Sequence, residues 1–332
     1  MESLSIKYRP QEFKDVANQS ALIKILEKQI ETETFKNCII LHGPSGTGKT
    51  TLARIFANKI NKGLGQPIEI DAASNNSVDN VRLIIDSASE RSLDSKYKVY
   101  IIDEAHMITT AGWNAFLKCI EEPPLYTVFI FCTTDPQKIP VTISNRCQVF
   151  SLNRIDDNEI INRLRFICKE ENINALDGID YIAKISQGSM RQAISYLDKC
   201  KDYSNDITLT NTIECLGNYS YTTFFNLTNA IIDGNKKLVF EIFDDLYMSG
   251  TDLKLFITKY FEFILQVLKY ILFKDITLTS IPSSLENDVK YIINIDEPEK
   301  FFNSYLNRIL KIKQAIKGDS DIKTTIEVIL LS

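Results

Sequence analysis

An α/β domain with a parallel, helix-covered sheet, then a small helical domain, then an all-helical one, is the architecture the sequence predicts. Three observations carry it. Short runs that are apolar on both faces alternate with helical periodicity up to about residue 150, which is the pattern of buried parallel strands. One such run passes directly into a glycine-rich loop and a helix at residues 38–60. After Leu152 the strand signal stops and only helix-period patterns follow.

The elements follow in order. CIILH at 38–42 reads as a strand, GPSGTGKT as a loop, and TLARIFANKI as a helix with Leu52, Ile55, Phe56 and Ile60 on one face. IEI at 68–70, VYIID at 99–103 and VFIFCT at 128–133 read as further buried strands, with helices at 78–89 and 113–120, the latter stopped by Pro123 and Pro124. Asp156 and Asp157 can cap a helix running to about residue 170, Asp177 opens a second, and Ser189 starts a third at 190–201. KDYSNDITLTN, residues 201–211, is the linker candidate. Helices are then expected near 221–232, 236–249, 252–273, 285–294, 298–317 and 320–331, which sets expected domains of 1–155, 156–205 and 206–332. In the third of these helices Leu253, Phe256, Ile257, Tyr260, Phe261, Ile264, Val267, Leu268 and Ile271 form an apolar face that reads as wider than one small domain need bury, and so as a surface for association.

Composition narrows the function. With 332 residues, 44% hydrophobic and 24% charged, the chain can bury a sizeable core and is too apolar for disorder. A net charge of −5, with neither half basic, excludes a generally cationic nucleic-acid binder, so any contact with a polyanion must be local. Seven cysteines without CxxC spacing and two histidines encode neither a disulfide framework nor a zinc cage. The polar start MESLSIKYRP lacks a signal-peptide core, and Lys254, Lys259, Glu262 and Lys269 interrupt the most apolar long segment, so a cytoplasmic protein without a membrane span is expected.

The chemistry is concentrated in a few places. Gly43-Pro44-Ser45-Gly46-Thr47-Gly48-Lys49-Thr50, with Thr51 following, matches G-x-x-x-x-G-K-[ST] between a strand and a helix, the context of a phosphate-cradling loop. Lys49 would meet the β- and γ-phosphates of a nucleotide and the Thr50 hydroxyl would ligate Mg²⁺. About fifty residues on, the strand Val99–Ile102 ends in Asp103 and Glu104, at the edge of a parallel sheet where ligands bind. Asp103 would hold Mg²⁺ through water and Glu104 would activate the attacking water. Thr133-Thr134-Asp135 ends a strand where a polar side chain could sense the γ-phosphate. Arg146 could reach another subunit's nucleotide, and Arg191 could contact phosphates of its own subunit. The segment Asp71–Val78, which includes Asn75, Asn76 and Ser77, closes a strand and opens a helix with small and amide side chains. Its backbone N–H groups are expected to be free for a DNA phosphate, with Arg82 adding a charged contact.

The strings KYRPQEFKDVANQ, GPSGTGKTTLARIFA, IEIDAAS, YIIDEAHMI, NAFLKCIEEPP, TTDPQKIPVTISNRC and GSMRQAIS resemble the gamma/tau family of bacterial DNA polymerase III subunits, the ATPases of the replicative sliding-clamp loader within the AAA+ superfamily. The resemblance runs in order through residues 6–197 and more loosely beyond. It implies an AAA+ domain, a helical lid and a helical collar that assembles a five-place ring. It also implies ATP and Mg²⁺ as ligands, with Tyr8, Arg9, Pro10 and Val16 around the adenine. Thr134 becomes the first sensor, Arg191 the second sensor in cis and Arg146 a finger in trans. Implied partners are the sliding clamp, other loader subunits, primer-template DNA and, indirectly, the polymerase.

Two departures stand out. The family's four-cysteine zinc module has only NKGLGQP, residues 61–67, in its place, so no zinc is expected; and its Ser-Arg-Cys is Asn145-Arg146-Cys147 here. The chain is expected to be a short form without the family's C-terminal tail, from a bacterial cell or a virus-infected one. Two alternatives stay open: a different AAA+ DNA motor such as a branch-migration helicase, and a loader subunit that does not hydrolyse. Asp103-Glu104-Ala105-His106 also spells a helicase box, but those motors need two tandem α/β domains and only one fits here.

Overall fold

Strands β1 (Cys38–His42), β2 (Ile68–Asp71), β3 (Lys98–Asp103), β4 (Thr127–Thr133) and β5 (Gln148–Ser151) form one parallel sheet in the order β2-β3-β4-β1-β5. In the computed structural model, which describes residues 3–216, 221–316 and 322–331, the chain divides into two units. One comprises Met1–Ala175 with Ile182–Asn205, the other Leu176–Tyr181 with Asp206–Ser332.

In the first unit the central strands β1, β3 and β4 read as unbroken apolar runs because both faces of the sheet are covered there. On one face Ile39, Leu41, Val99, Ile101, Val128 and Ile130 pack with helices α2 (Ser20–Glu31) and α3 (Lys49–Ile60), the latter through Leu52, Ile55 and Phe56. On the other, Ile40, Tyr100, Ile102, Phe129 and Phe131 meet α4 (Val78–Ala88) and α5 (Thr110–Glu121), with Trp113 and Phe116 fully buried. The short helices α1 (Leu4–Lys7) and α6 (Val141–Ser144), then α7 (Asp157–Glu170), the residues of α8 (Gly178–Ile185) from Ile182 on, and α9 (Met190–Tyr203) complete the unit. Asp156 caps α7 by accepting from the Asn158 N–H, and Ser189 caps α9 by accepting from Gln192, as the capping residues predict.

Two strands differ from expectation. IEI was expected to be buried on both faces, yet β2 is the outer strand, paired only with β3, and Ile68 and Glu69 are exposed. The fifth strand, β5, has no counterpart among the expected ones. It lies at the opposite edge and its side chains alternate between half-buried and exposed, so it lacks the apolar run that marks the others.

The second unit is helical: α10 (Leu209–Cys215), α11 (Tyr221–Ile232), α12 (Lys236–Met248), α13 (Leu253–Phe273), α14 (Glu286–Ile292), α15 (Pro298–Ala315) and α16 (Ile322–Leu331). Residue 317 and residues 320 and 321, at the ends of two expected helices, lie outside the described residues. Asp177 directly precedes α8, and its Oδ1 accepts from the Leu209 N–H. The core is built on α13, whose Phe256, Tyr260, Ile264 and Val267 pack with Phe224 of α11 and with Phe302, Tyr305 and Ile309 of α15. Buried hydroxyls are paired: Tyr260 Oη lies 3.0 Å from Thr228 Oγ1 and 3.3 Å from Tyr305 Oη. The apolar face of α13 therefore does not stand open for association. Eight of its nine residues are buried inside the unit and the ninth, Phe261, is half-buried. No helix among the described residues is long and apolar enough to cross a membrane.

Candidate nucleotide site

The loop after β1 has the conformation its glycines require. Gly46 and Gly48 sit at φ +75° and +100°, where a side chain is strained, and a Cβ on Gly46 would lie 2.0 Å from the Ser189 hydroxyl. The Gly46 carbonyl accepts from the Met190 N–H at 3.1 Å, joining the loop to the start of α9. The Gly43 N–H donates to Thr133 O at 3.2 Å, tying the loop's base to the end of β4.

Lys49, the first residue of α3, is buried, and its ammonium donates to the carbonyls of Gly43 at 2.9 Å and Pro44 at 2.8 Å. Burial pushes its pKa down. Next to it, the Thr50 hydroxyl donates to Asp103 Oδ2 at 2.7 Å. These are hard oxygen donors at the ends of α3 and β3, the donor type Mg²⁺ takes, so the residues fit that ion. Asp103 Oδ1 accepts from the Glu104 N–H at 3.0 Å and its backbone carbonyl from the Ala72 N–H at 2.9 Å.

Glu104 holds a left-handed backbone, φ +49°, costly for a residue with a Cβ and a mark of a position over-determined by its surroundings. Its Oε2 is 3.5 Å from the Thr134 hydroxyl, which donates to it, and 3.4 Å from His106 Nδ1. His106 Nδ1 is also 3.1 Å from Thr133 Oγ1. The sequence reading did not assign His106 to the site; its place two residues after Glu104 was the available signal.

A cavity lies along the loop. Tyr8, Arg9, Pro10, Val16, Asp103 and Glu104 line it. Residues Ser45 to Thr51 and Arg191 line it as well. Tyr8 is positioned by charge and stacking: its hydroxyl donates to Glu171 at 2.6 Å, its carbonyl accepts from Arg163 at 2.7 Å, and its ring meets Phe166 edge-on. Burial and the Glu171 contact push the Tyr8 phenol up to about 12. Arg163, Ile155, Met190 and Ile194 line the cavity without having been singled out. Met190 and Ile194 had a signal in their spacing with Arg191 on one helix; Arg163 had none, since an arginine on an amphipathic helix reads as solvent-facing.

Arg146 lies elsewhere. It is bound to Glu121 at 2.6 Å and donates to Thr142 O at 2.7 Å, half-exposed and outside the cavity lining. The loop after β2 departs from expectation, since its N–H groups are not all free for a phosphate. Those of Ala72, Ala73, Ser74 and Asn75 donate to Asp103 or Asp71, and Ser77 caps α4. Arg82 makes an exposed pair with Asp79 at 3.4 Å.

A family model described as DNA polymerase III, delta subunit, matches residues 66–156. Over its full span the chain is similar to DNA polymerase III subunit gamma of Buchnera aphidicola subsp. Schizaphis graminum, 30% identical with 99% of this chain and 96% of that protein covered. The chain belongs to the DNA polymerase III gamma/tau family. This gamma/tau chain is also 34% identical to DNA polymerase III subunit gamma/tau of Mycoplasma genitalium, covering 82% of itself and 50% of the relative. Against DNA polymerase III subunit tau of Bacillus subtilis the identity is 37%, covering 74% and 48%. It thus spans about half the length of these two relatives. Among solved structures it resembles the Thermotoga maritima RuvB Holliday junction branch migration motor, with TM-score 0.54 and 18% identity over 74% of this chain and 86% of that one. The fold is therefore of AAA+ type, with a parallel sheet and helical domains in the one chain.

Proposed function

We propose that this gamma/tau chain is the ATPase subunit of a sliding-clamp loader, which binds and hydrolyses ATP to open a clamp and place it on primer-template DNA in replication. The observation that carries the reading is the Thr50–Asp103 contact of 2.7 Å beside Lys49 and Glu104, in a chain whose gamma relative matches it nearly end to end. Thr50 and Asp103 would hold a bound Mg²⁺, which would supply charge neutralisation at the phosphates. Lys49 exchanges its carbonyl partners for phosphate oxygens. Residues 43–51 wrap the phosphates, with Tyr8, Arg9, Pro10 and Val16 at the base. Glu104 orients and deprotonates the attacking water, and the Thr134 hydroxyl aims its carboxylate while sensing the γ-phosphate. Arg191 reads the phosphates in cis. Arg146, outside its own cavity, acts on a neighbouring subunit's nucleotide.

In this reading residues 156–205 serve as a lid, residues 206–332 as a collar holding a five-place ring with other loader subunits, and the polymerase is met indirectly. Asn75, Asn76, Ser77 and Arg82 meet the DNA backbone without sequence preference, through the N-terminal turn of α4 because the preceding amides are occupied. ATPase assays with primed DNA, with and without clamp, test the whole. Turnover stimulated by primer and clamp together supports the loader. Stimulation by a four-way junction instead points to a branch-migration motor, and no turnover in any condition points to a non-hydrolysing subunit.

A further inference from the structure

Arg54 stands one helical turn after Thr50 on α3, on the same face, and both line the cavity. Across from it, on edge strand β2, Glu69 also lines the cavity, along with the carboxylates Asp15, Asp103 and Glu104. An Arg54 Nη2 meets Glu69 Oε2 at 2.5 Å. Both side chains are 37% exposed, so the pair adds little as a brace between α3 and β2. The Arg54 Nε, by contrast, is buried and makes no hydrogen bond. A guanidinium kept for bracing would spend its buried donor within the fold; this one leaves a donor unspent beside a cavity built for polyphosphate.

We propose that Arg54 is a positioning residue for nucleotide binding: it holds Glu69 in an ion pair and so removes one negative charge from the field of the triphosphate and its metal ion. The inference rests on the ATP-binding reading above. Asp103 and Glu104 have assigned work, on the cation and on the attacking water. Glu69 has none, and unpaired it would repel the phosphates across a partly desolvated cavity, where one unit charge is worth about tenfold in affinity.

The test is ATP affinity with Mg²⁺, by calorimetry on the full chain, alongside kcat and KM. Arg54→Ala should weaken ATP about tenfold, raise KM with kcat largely kept, and lose part of its defect in added KCl. Arg54→Lys should stay near wild type. Glu69→Gln should bind at least as tightly as wild type, and adding it to Arg54→Ala should restore affinity. A brace predicts the reverse: Glu69→Gln as weak as Arg54→Ala, and no rescue in the double variant; that result, or wild-type affinity in Arg54→Ala, overturns the proposal. If Arg54→Ala does not fold, judged by its thermal unfolding, Glu69→Gln decides alone, since weakened binding refutes charge control and unweakened binding supports it. A wild-type chain that binds no ATP, under conditions where Lys49→Ala is indistinguishable from it, removes both readings; wild-type binding with an unaltered Arg54→Ala removes only this one.

Discussion

Lys49 donates to two carbonyls of the loop that would wrap a phosphate, whereas the Glu104 carboxylate lies against the side chains of Thr134 and His106. Binding and cleavage should therefore come apart in single variants. Lys49→Ala is expected to abolish ATP binding, and Glu104→Gln to keep ATP while slowing hydrolysis by about a hundredfold or more, the size of a lost general base. Equilibrium binding beside single-turnover rates checks both, and a Glu104→Gln chain with wild-type turnover refutes the assignment. Arg146→Ala should leave affinity intact and cut hydrolysis by about 10³, the scale of an arginine finger. Mixed with Lys49→Ala subunits it should regain some turnover, and no recovery at any ratio counts against action in trans. Most of this site was legible because the loop pattern and the strand-end acids are local in sequence. Arg163, Arg54 and Glu69 were not, because their roles depend on which helix face or strand edge the tertiary fold turns toward the cavity.

At the level of elements, the carboxylate after α7 joins the N-terminal segment to α9. Glu171 accepts from Lys201 at 2.8 Å and from Lys7 and Tyr8 at 2.6 Å each. The Lys201 contact, followed by those of Lys7 and Tyr8, pulls its pKa down to about 2. A carboxyl depressed in the folded state stabilises the fold above its ordinary pKa of about 4.3, and that contribution fades as pH falls toward the folded value. Glu171→Gln should thus lower the urea midpoint at pH 6, with the gap to wild type closing between about pH 4.3 and 2. A gap independent of pH would mean that the side chain's packing, and not its charge, matters. On α4, Arg82→Ala should reduce DNA-stimulated ATPase more than basal ATPase and equally for unrelated primers; a sequence-dependent defect would move the DNA contact elsewhere. Elements with strong periodicity, such as α3, α7, α9 and α13, fell where their patterns put them. Edge strands did not: β5 alternates and carries no apolar run, while β2 has an apolar run without a second neighbour to bury it.

For the whole molecule, the nucleotide cavity is lined entirely by residues of the first unit. A fragment ending at residue 205 should therefore bind ATP as a monomer, and one that still assembled with partner subunits would refute the collar assignment. Sequence alone misjudged the face of α13 because apolar width says how much must be buried, not what buries it; here α11 and α15 do. If the second unit holds a ring together, it must do so with other residues, and Phe273 and Met248, both well exposed, are places to begin.

The order of the sheet has a further consequence. The phosphate loop and the acids Asp103 and Glu104 leave strands that have a partner on each side, whereas the loop proposed to meet DNA leaves the outermost one. Backbone amides of β1, β3 and β4 should exchange with deuterium only when the whole unit opens, and those of β2 through smaller, more frequent openings. The chemistry would then sit on the slowest-exchanging part of the domain and the DNA-facing segment on a faster one, so that the rim can adjust to a duplex while the reacting groups keep their spacing.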